Sequence, residues 1–230
     1  MSGRPTGPFL TAASRLLPGV RTVQGQVAPF AAYWEQQNRA VLADGVETPL
    51  WVALGDSMTQ GIGAPGPGQG WVGQAQRLLE DAGESYRVVN LSMSGGRVED
   101  VLRRQLPALQ GLQQQGIDPA LVTVLIGSND LVRRRYRDAL PAGFAELLRA
   151  LPKGSVVSNL PNPRRAANEI DRLIREGAAA GQLALADMRQ PRTTRWRGKL
   201  AADHFHPNER GYAAIAQIFF EAIRTRRSAD

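Results

Sequence analysis

The chain has 230 residues, 28 Lys and Arg against 21 Asp and Glu, a formal net charge of +7 and no cysteine. Without a thiol it can build no disulfide, no thiolate nucleophile and no cysteine-ligated zinc or iron–sulfur site. No apolar run approaches the roughly 20 residues that a membrane-spanning helix needs, so no integral membrane segment is expected.

A chain of this length hides roughly 70% of the surface it exposes when unfolded, and its even composition marks no boundary between two large folded units. Residues 1 to 48 read as an N-terminal extension. They begin with Met1 to Thr6 and a mildly apolar stretch, Pro8 to Leu17, that Arg15 and Pro18 interrupt. Such a stretch is a poor export signal, and a cytoplasmic location is the expectation. A helix is expected around Phe30 to Leu42, whose Tyr33, Trp34, Val41 and Leu42 would dock on the rest of the chain, before a turn near Asp44 and Gly45.

From Leu50 the pattern becomes strand, loop and helix, repeated through residues 49 to 230. Leu50 to Leu54 is a short apolar run ending at Gly55, and Trp71, Val72, Ala75, Leu78 and Leu79 follow at helical spacing. Arg87 to Asn90, Leu121 to Ile126, Ser155 to Ser158 and Leu183 to Ala186 supply four more compact runs suited to strands covered on both faces. Helical patterns occupy Ala139 to Ala150 and Arg164 to Ala179, and Ile215, Ile218, Phe219, Ala222 and Ile223 line one face of a last helix. Parallel strands need long crossovers, so this alternation predicts an α/β fold: a three-layer sandwich around a central, mainly parallel five-stranded sheet.

The basic residues are nearly all arginine, in clusters at Arg133, Arg134, Arg135 and Arg137, at Arg189, Arg192, Arg195 and Arg197, and at Arg224, Arg226 and Arg227. The last three close the final helix, where the dipole favours cations. A solvated basic face is the plain reading, with an anionic ligand or a membrane surface as the alternative. No nucleic-acid reading module or interleaved aromatic pattern accompanies the charge, so no nucleic-acid partner is expected.

Ligands of open α/β sheets collect at the carboxyl ends of the strands, and the chemically suggestive residues fall there. Gly55-Asp56-Ser57 follows the first strand. By itself it is ordinary helix-capping chemistry. As a nucleophile Ser57 needs a base, and the chain offers only His204 and His206, both within Asp203-His204-Phe205-His206-Pro207. Asp203 lies three residues before His206, close enough on a turn to hold the imidazole tautomer. The competing structural reading is a pair of locally satisfied loop histidines with Pro207 starting the last helix.

Attack on a carbonyl also calls for donors aimed at the developing oxyanion. Asn90-Leu91-Ser92-Met93-Ser94-Gly95-Gly96 follows the second strand and Gly127-Ser128-Asn129-Asp130 the third. Gly95 would offer a backbone amide and Asn129 a side-chain amide, although either segment alone is common turn chemistry.

Taken in order, these four segments resemble the sequence blocks of the SGNH (GDSL-type) hydrolases over about Trp51 to Tyr212. The resemblance implies a flavodoxin-like fold and a serine esterase. It carries the nucleophile onto Ser57, the base and its partner onto His206 and Asp203, and the oxyanion hole onto the Ser57 amide, Gly95 and Asn129. Departures are small: Ser92 and Ser128 stand where glycine is commoner, Met58 stands in place of leucine, and Gly96 beside Gly95 leaves that donor open by one residue. A small-molecule ester is the implied partner, with no cofactor and no metal. An acyltransferase using the same residues, or a silent binding module on the same fold, are the alternatives. The arginines at 133 to 137, just beyond Asn129, are expected to rim the site and favour anionic esters.

Overall fold

A computed structural model describes residues 17–44 and 47–227; the stretch before Leu17 and the turn at Gly45 lie outside the described residues. Two helices come first, α1 (Pro18–Gln24) and α2 (Val27–Ala43). Then follow β1 (Leu50–Gly55), the single turn α3 (Ser57–Gln60), α4 (Trp71–Asp81) and β2 (Arg87–Asn90). A short α5 (Val98–Asp100) runs through a π-helical turn (Val101–Gln105) into α6 (Leu106–Gln114), which leads to β3 (Leu121–Leu125). The remainder is α7 (Arg134–Ala150), β4 (Ser155–Ser158), α8 (Arg165–Ala179), β5 (Leu183–Ala186), α9 (Pro191–Thr194) and α10 (Glu209–Arg227).

The five strands form one sheet in the order β2-β1-β3-β4-β5, and every neighbouring pair is parallel. Alternation along β1 divides the interior. Trp51 and Ala53 face the layer of α4 and α10 with Trp71, Ile215 and Phe219, whereas Leu50, Val52 and Leu54 face α6, α7 and α8 with Leu109, Phe144 and Ile170. Trp71 and Phe219 stack with ring centroids 4.0 Å apart, and the Trp51 indole donates to Thr123 Oγ1 at 2.8 Å across the β1–β3 pair. Each such side chain, fully buried, is worth about 1.5–3 kcal/mol.

Because β2 and β3 lie on opposite sides of β1, the chain reverses its direction of winding there, and the carboxyl end of β1 stands at the resulting crevice. The same geometry leaves β2 as an edge strand, which α2 closes. Asn38 donates to the Asn90 carbonyl and accepts from the Asn90 amide, both at 2.8 Å, reproducing the pairing of one further peptide unit.

Three features differ from the sequence reading. The segment from Val98 to Gln114 is helical, although Arg103, Arg104, Pro107 and its glutamines carry no clean apolar period; the π-helical turn shifts the phase of the buried residues, and Pro107 stands directly after it, as the second residue of α6. Helix α7 starts five residues earlier than its apolar pattern, because its first turn is arginine-rich. Arg226 donates to the Gly154 and Ala120 carbonyls, at 3.0 and 2.8 Å, and so ties α10 to the loops before β4 and β3, a role its place in the last turn did not signal. Among the described residues no helix is long and apolar enough to cross a membrane.

Candidate active site

Strand β1 delivers Gly55 to a crowded position. A Cβ there would lie 2.2 Å from Thr59 Oγ1 and 2.4 Å from the Leu125 carbonyl, so only glycine fits. The buried Gln105 amide, on the π-helical turn, pairs with the Gly55 peptide in both directions at 2.8 Å. Its neighbour Asp56 caps α3, accepting from the Met58 amide at 3.0 Å, which makes Ser57 the first helical residue. Burial raises the Asp56 carboxyl to about 7, against the opposing pull of the Met58 amide and of His206.

Two distant stretches meet at Ser57. Its Oγ lies 3.0 Å from His206 Nε2, and His206 Nδ1 lies 2.6 Å from Asp203 Oδ2. The other carboxylate oxygen, Oδ1, accepts from the backbone amides of Phe205 and His206 at 3.1 and 3.0 Å, which fixes the carboxylate's rotation. Burial works against the Asp203 charge, but the His206 hydrogen bond and these amides outweigh it and hold the carboxyl below its ordinary value. His204 stands apart from this line; it takes the left-handed turn position, φ 55°, and its amide donates to Ala201. Pro207 lies ahead of α10 rather than within it. Asn208 makes the cap, accepting from the Gly211 amide at 3.1 Å. Gly63 lets the loop after α3 approach closely, since a Cβ there would lie 2.5 Å from the Pro207 carbonyl and 2.9 Å from His206 Cβ.

The loops after β2 and β3 close around the same point. Gly95 takes φ 70°, and Gly96 donates its amide to Met93 at 2.9 Å. Among the described residues, the backbone amides of Ser57 and Gly95 donate to no other group of the chain. Asn129 Nδ2 donates to the Gly96 carbonyl at 2.9 Å and, at 3.3 Å, faces Asp56 Oδ2. Next to Asn129, burial holds the Asp130 carboxyl up at about 6 while it accepts from the Val98 amide at 3.2 Å.

Of the arginines expected near the site, Arg134 pairs with Asp138 at 3.5 Å on the surface, and Arg135 lies over the Tyr136 ring at 4.3 Å. Arg97, which the sequence reading did not single out, is buried and holds the same ring at 3.6 Å. Other contributors passed unnoticed too. Gln60 and Gln105 lie in stretches whose composition signals only a helix or a loop.

A hydroxyl, an imidazole and a carboxylate in one hydrogen-bonded line at the carboxyl edge of a parallel sheet define a site of the serine hydrolase class. The chain belongs to the GDSL-like lipase/acylhydrolase family, whose sequence profile matches residues 53–214. It is 42% identical over 82 residues to the esterase TesA of Pseudomonas aeruginosa, a match spanning 36% of this chain and 38% of that protein. A crystal structure of TesA superimposes with a TM-score of 0.60 at 27% identity, covering 77% of this chain and 99% of the other. The fold is also that of the psychrotrophic esterase EstA from Pseudoalteromonas sp., at TM-score 0.58 and 18% identity over 78% of this chain and 98% of that one.

Proposed function

We propose that the protein is an esterase that hydrolyses small carboxylic esters through an acyl-enzyme on Ser57. The observation that carries this reading is the unbroken line from Ser57 Oγ through His206 to Asp203, with contacts of 3.0 and 2.6 Å.

Ser57 Oγ attacks the ester carbonyl while His206 Nε2 takes its proton, and the carbonyl electron pair moves onto oxygen. The backbone amides of Ser57 and Gly95 and the Asn129 side chain receive that charge. Gly95 is favoured over Gly96 because the Gly96 amide is engaged with Met93. The Gly96 carbonyl anchors one Asn129 proton and so fixes the plane of the amide, and the second, which meets Asp56 only at 3.3 Å, is the one available to the oxyanion. Each donor is worth about 3 kcal/mol in the transition state. Collapse expels the alcohol, which leaves with the proton held by His206. Water then attacks the acyl-enzyme, His206 accepts its proton and returns it to Ser57, and the carboxylic acid departs. Asp203 keeps His206 in the tautomer with Nε2 free and stabilises the imidazolium.

Replacing Ser57 with alanine is expected to lower kcat on p-nitrophenyl esters by at least about a thousandfold, the scale on which triad losses fall. Hydrolysis by Ser57→Ala within tenfold of the parent would end this reading.

A further inference from the structure

Helix α2 lies outside the family match at residues 53–214, yet it touches the site through polar atoms rather than through apolar surface alone. Gln26, Phe30, Trp34 and Asn38 recur at four-residue spacing, so they share one stripe of the helix and its N-cap. The Gln26 side-chain amide clamps the loop after α3, accepting from the Gly63 amide at 2.7 Å and donating to the Ala64 carbonyl at 3.0 Å. Trp34 is buried, and its indole Nε1 donates to the Gln60 carbonyl at 3.0 Å.

Gln60 ends the one-turn helix that Ser57 begins. Its buried side chain crosses to the loop after β2, where Oε1 accepts from Ser94 Oγ at 2.6 Å and Nε2 donates to the Ser92 carbonyl at 3.3 Å. Ser94 immediately precedes Gly95. From the other side, Asn90, which Asn38 grips by its backbone, sends Nδ2 to the Thr59 carbonyl at 2.8 Å and accepts from the Ser92 amide at 3.0 Å. A helix that merely covered apolar surface would have no use for these groups. Burying an amide or an indole N–H is costly unless its partner sits at one defined place, so they specify the register of α2 against the two loops.

We propose that α2 is a positioning element of the catalytic apparatus: through Trp34, Gln60 and Ser94 it sets the distance between Ser57 and the Gly95 amide. Gln60 is the positioning residue that spans the gap. The inference rests on the roles given above to Ser57 and Gly95. An oxyanion donor acts only when held at hydrogen-bond distance from where the charge will develop, and a shift of about 1 Å at a remote support is enough to cost up to a hundredfold in rate.

The test compares Gln60→Met, Ser94→Ala, Ser94→Thr and Trp34→Phe with the parent in kcat, KM and thermal midpoint on a p-nitrophenyl ester. Gln60→Met is expected to lower kcat about tenfold with KM within about twofold, since the support bears on the transition state rather than on substrate binding. Ser94→Ala should lose about threefold to tenfold, and the double variant should fall no further than Gln60→Met, because both remove one shared link. Ser94→Thr, which retains the hydroxyl, restores most of the rate, and Trp34→Phe, a milder change, loses about threefold.

If Gln60→Met and Ser94→Ala stay within twofold of the parent kcat, or if their losses add and follow the thermal midpoint with no rescue by threonine, the positioning role is wrong. Ser57→Ala, measured alongside, separates the two claims. An active Ser57→Ala enzyme refutes the underlying mechanism, whereas an inactive one beside unaffected Gln60 and Ser94 variants refutes this inference alone.

Discussion

Replacing Asp203 with asparagine tests the triad more finely than deleting any member of it. Two backbone amides, those of Phe205 and His206, point at Oδ1. An asparagine must therefore keep its carbonyl oxygen there, and its NH2 turns toward His206 Nδ1, where the carboxylate oxygen now stands at 2.6 Å. Facing a donor, Nδ1 becomes the acceptor, the proton moves to Nε2, and Nε2 can no longer take the proton of Ser57. Reversing the amide to recover the productive tautomer would forfeit two hydrogen bonds of about 1 kcal/mol each. Loss of the charged partner costs the imidazolium about 2–3 kcal/mol more. The sum, about 4–5 kcal/mol, corresponds to a kcat lowered about a thousandfold or somewhat more.

Alanine at the same place removes the charge but imposes no tautomer. It should therefore cost only the second contribution, about a hundredfold. Steady-state hydrolysis of a p-nitrophenyl ester at neutral pH gives both values directly. The reasoning fails if Asp203→Asn is as active as Asp203→Ala or more so, or if it lies within tenfold of the parent.

Two further outcomes concern the groups around this line. The folded Asp56 carboxyl holds its proton up to about 7, well above an unfolded aspartate, so its contribution to stability is complete below about pH 4 and is lost as pH rises through about 7; the full span is worth at most about 4 kcal/mol. Asp56→Asn cannot titrate and should flatten the fall in urea midpoint between pH 5 and pH 8; an unchanged slope would show that this carboxyl is not held up by burial. Reversing a charge where Arg135 and Arg97, the residue after Gly96, converge on Tyr136 should lower the kcat/KM ratio of anionic to neutral esters by about fivefold to tenfold in Arg135→Glu; an unchanged ratio would mean that these guanidiniums face solvent without meeting substrate.

The strands were legible because each is a short run with a valine- or leucine-rich centre; the sheet buries β1, β3 and β4 throughout and the edge strands β2 and β5 in part, and β2, β4 and β5 begin and end at the residues their composition marks. The helix from Val98 to Gln114 was not, since its π-helical turn breaks the period on which such readings depend. At the site, Ser57 stood at the end of the first strand and Asp203 and His206 just before the last helix, with only two histidines in the chain to choose from, and the order of the four segments, as the family resemblance gave it, tied them together. What supports them left no such mark. Gln60 and Gln105 are ordinary amides in polar stretches, and their importance comes from burial and from partners 34 and 50 residues away in sequence, Ser94 and Gly55. The choice between Gly95 and Gly96 likewise turns on which amide a neighbouring carbonyl already occupies, a matter of backbone path that composition does not carry.

In the proposed mechanism one hydroxyl becomes the acyl carrier because one imidazole can take its proton. Mass spectrometry of the protein after reaction with a fluorophosphonate, followed by peptide mapping, tests it most directly. A single adduct is expected, carried by Ser57, with the rate of labelling collapsing in a His206→Ala variant. An adduct on any other residue, or undiminished labelling of Ser57 without His206, would contradict it.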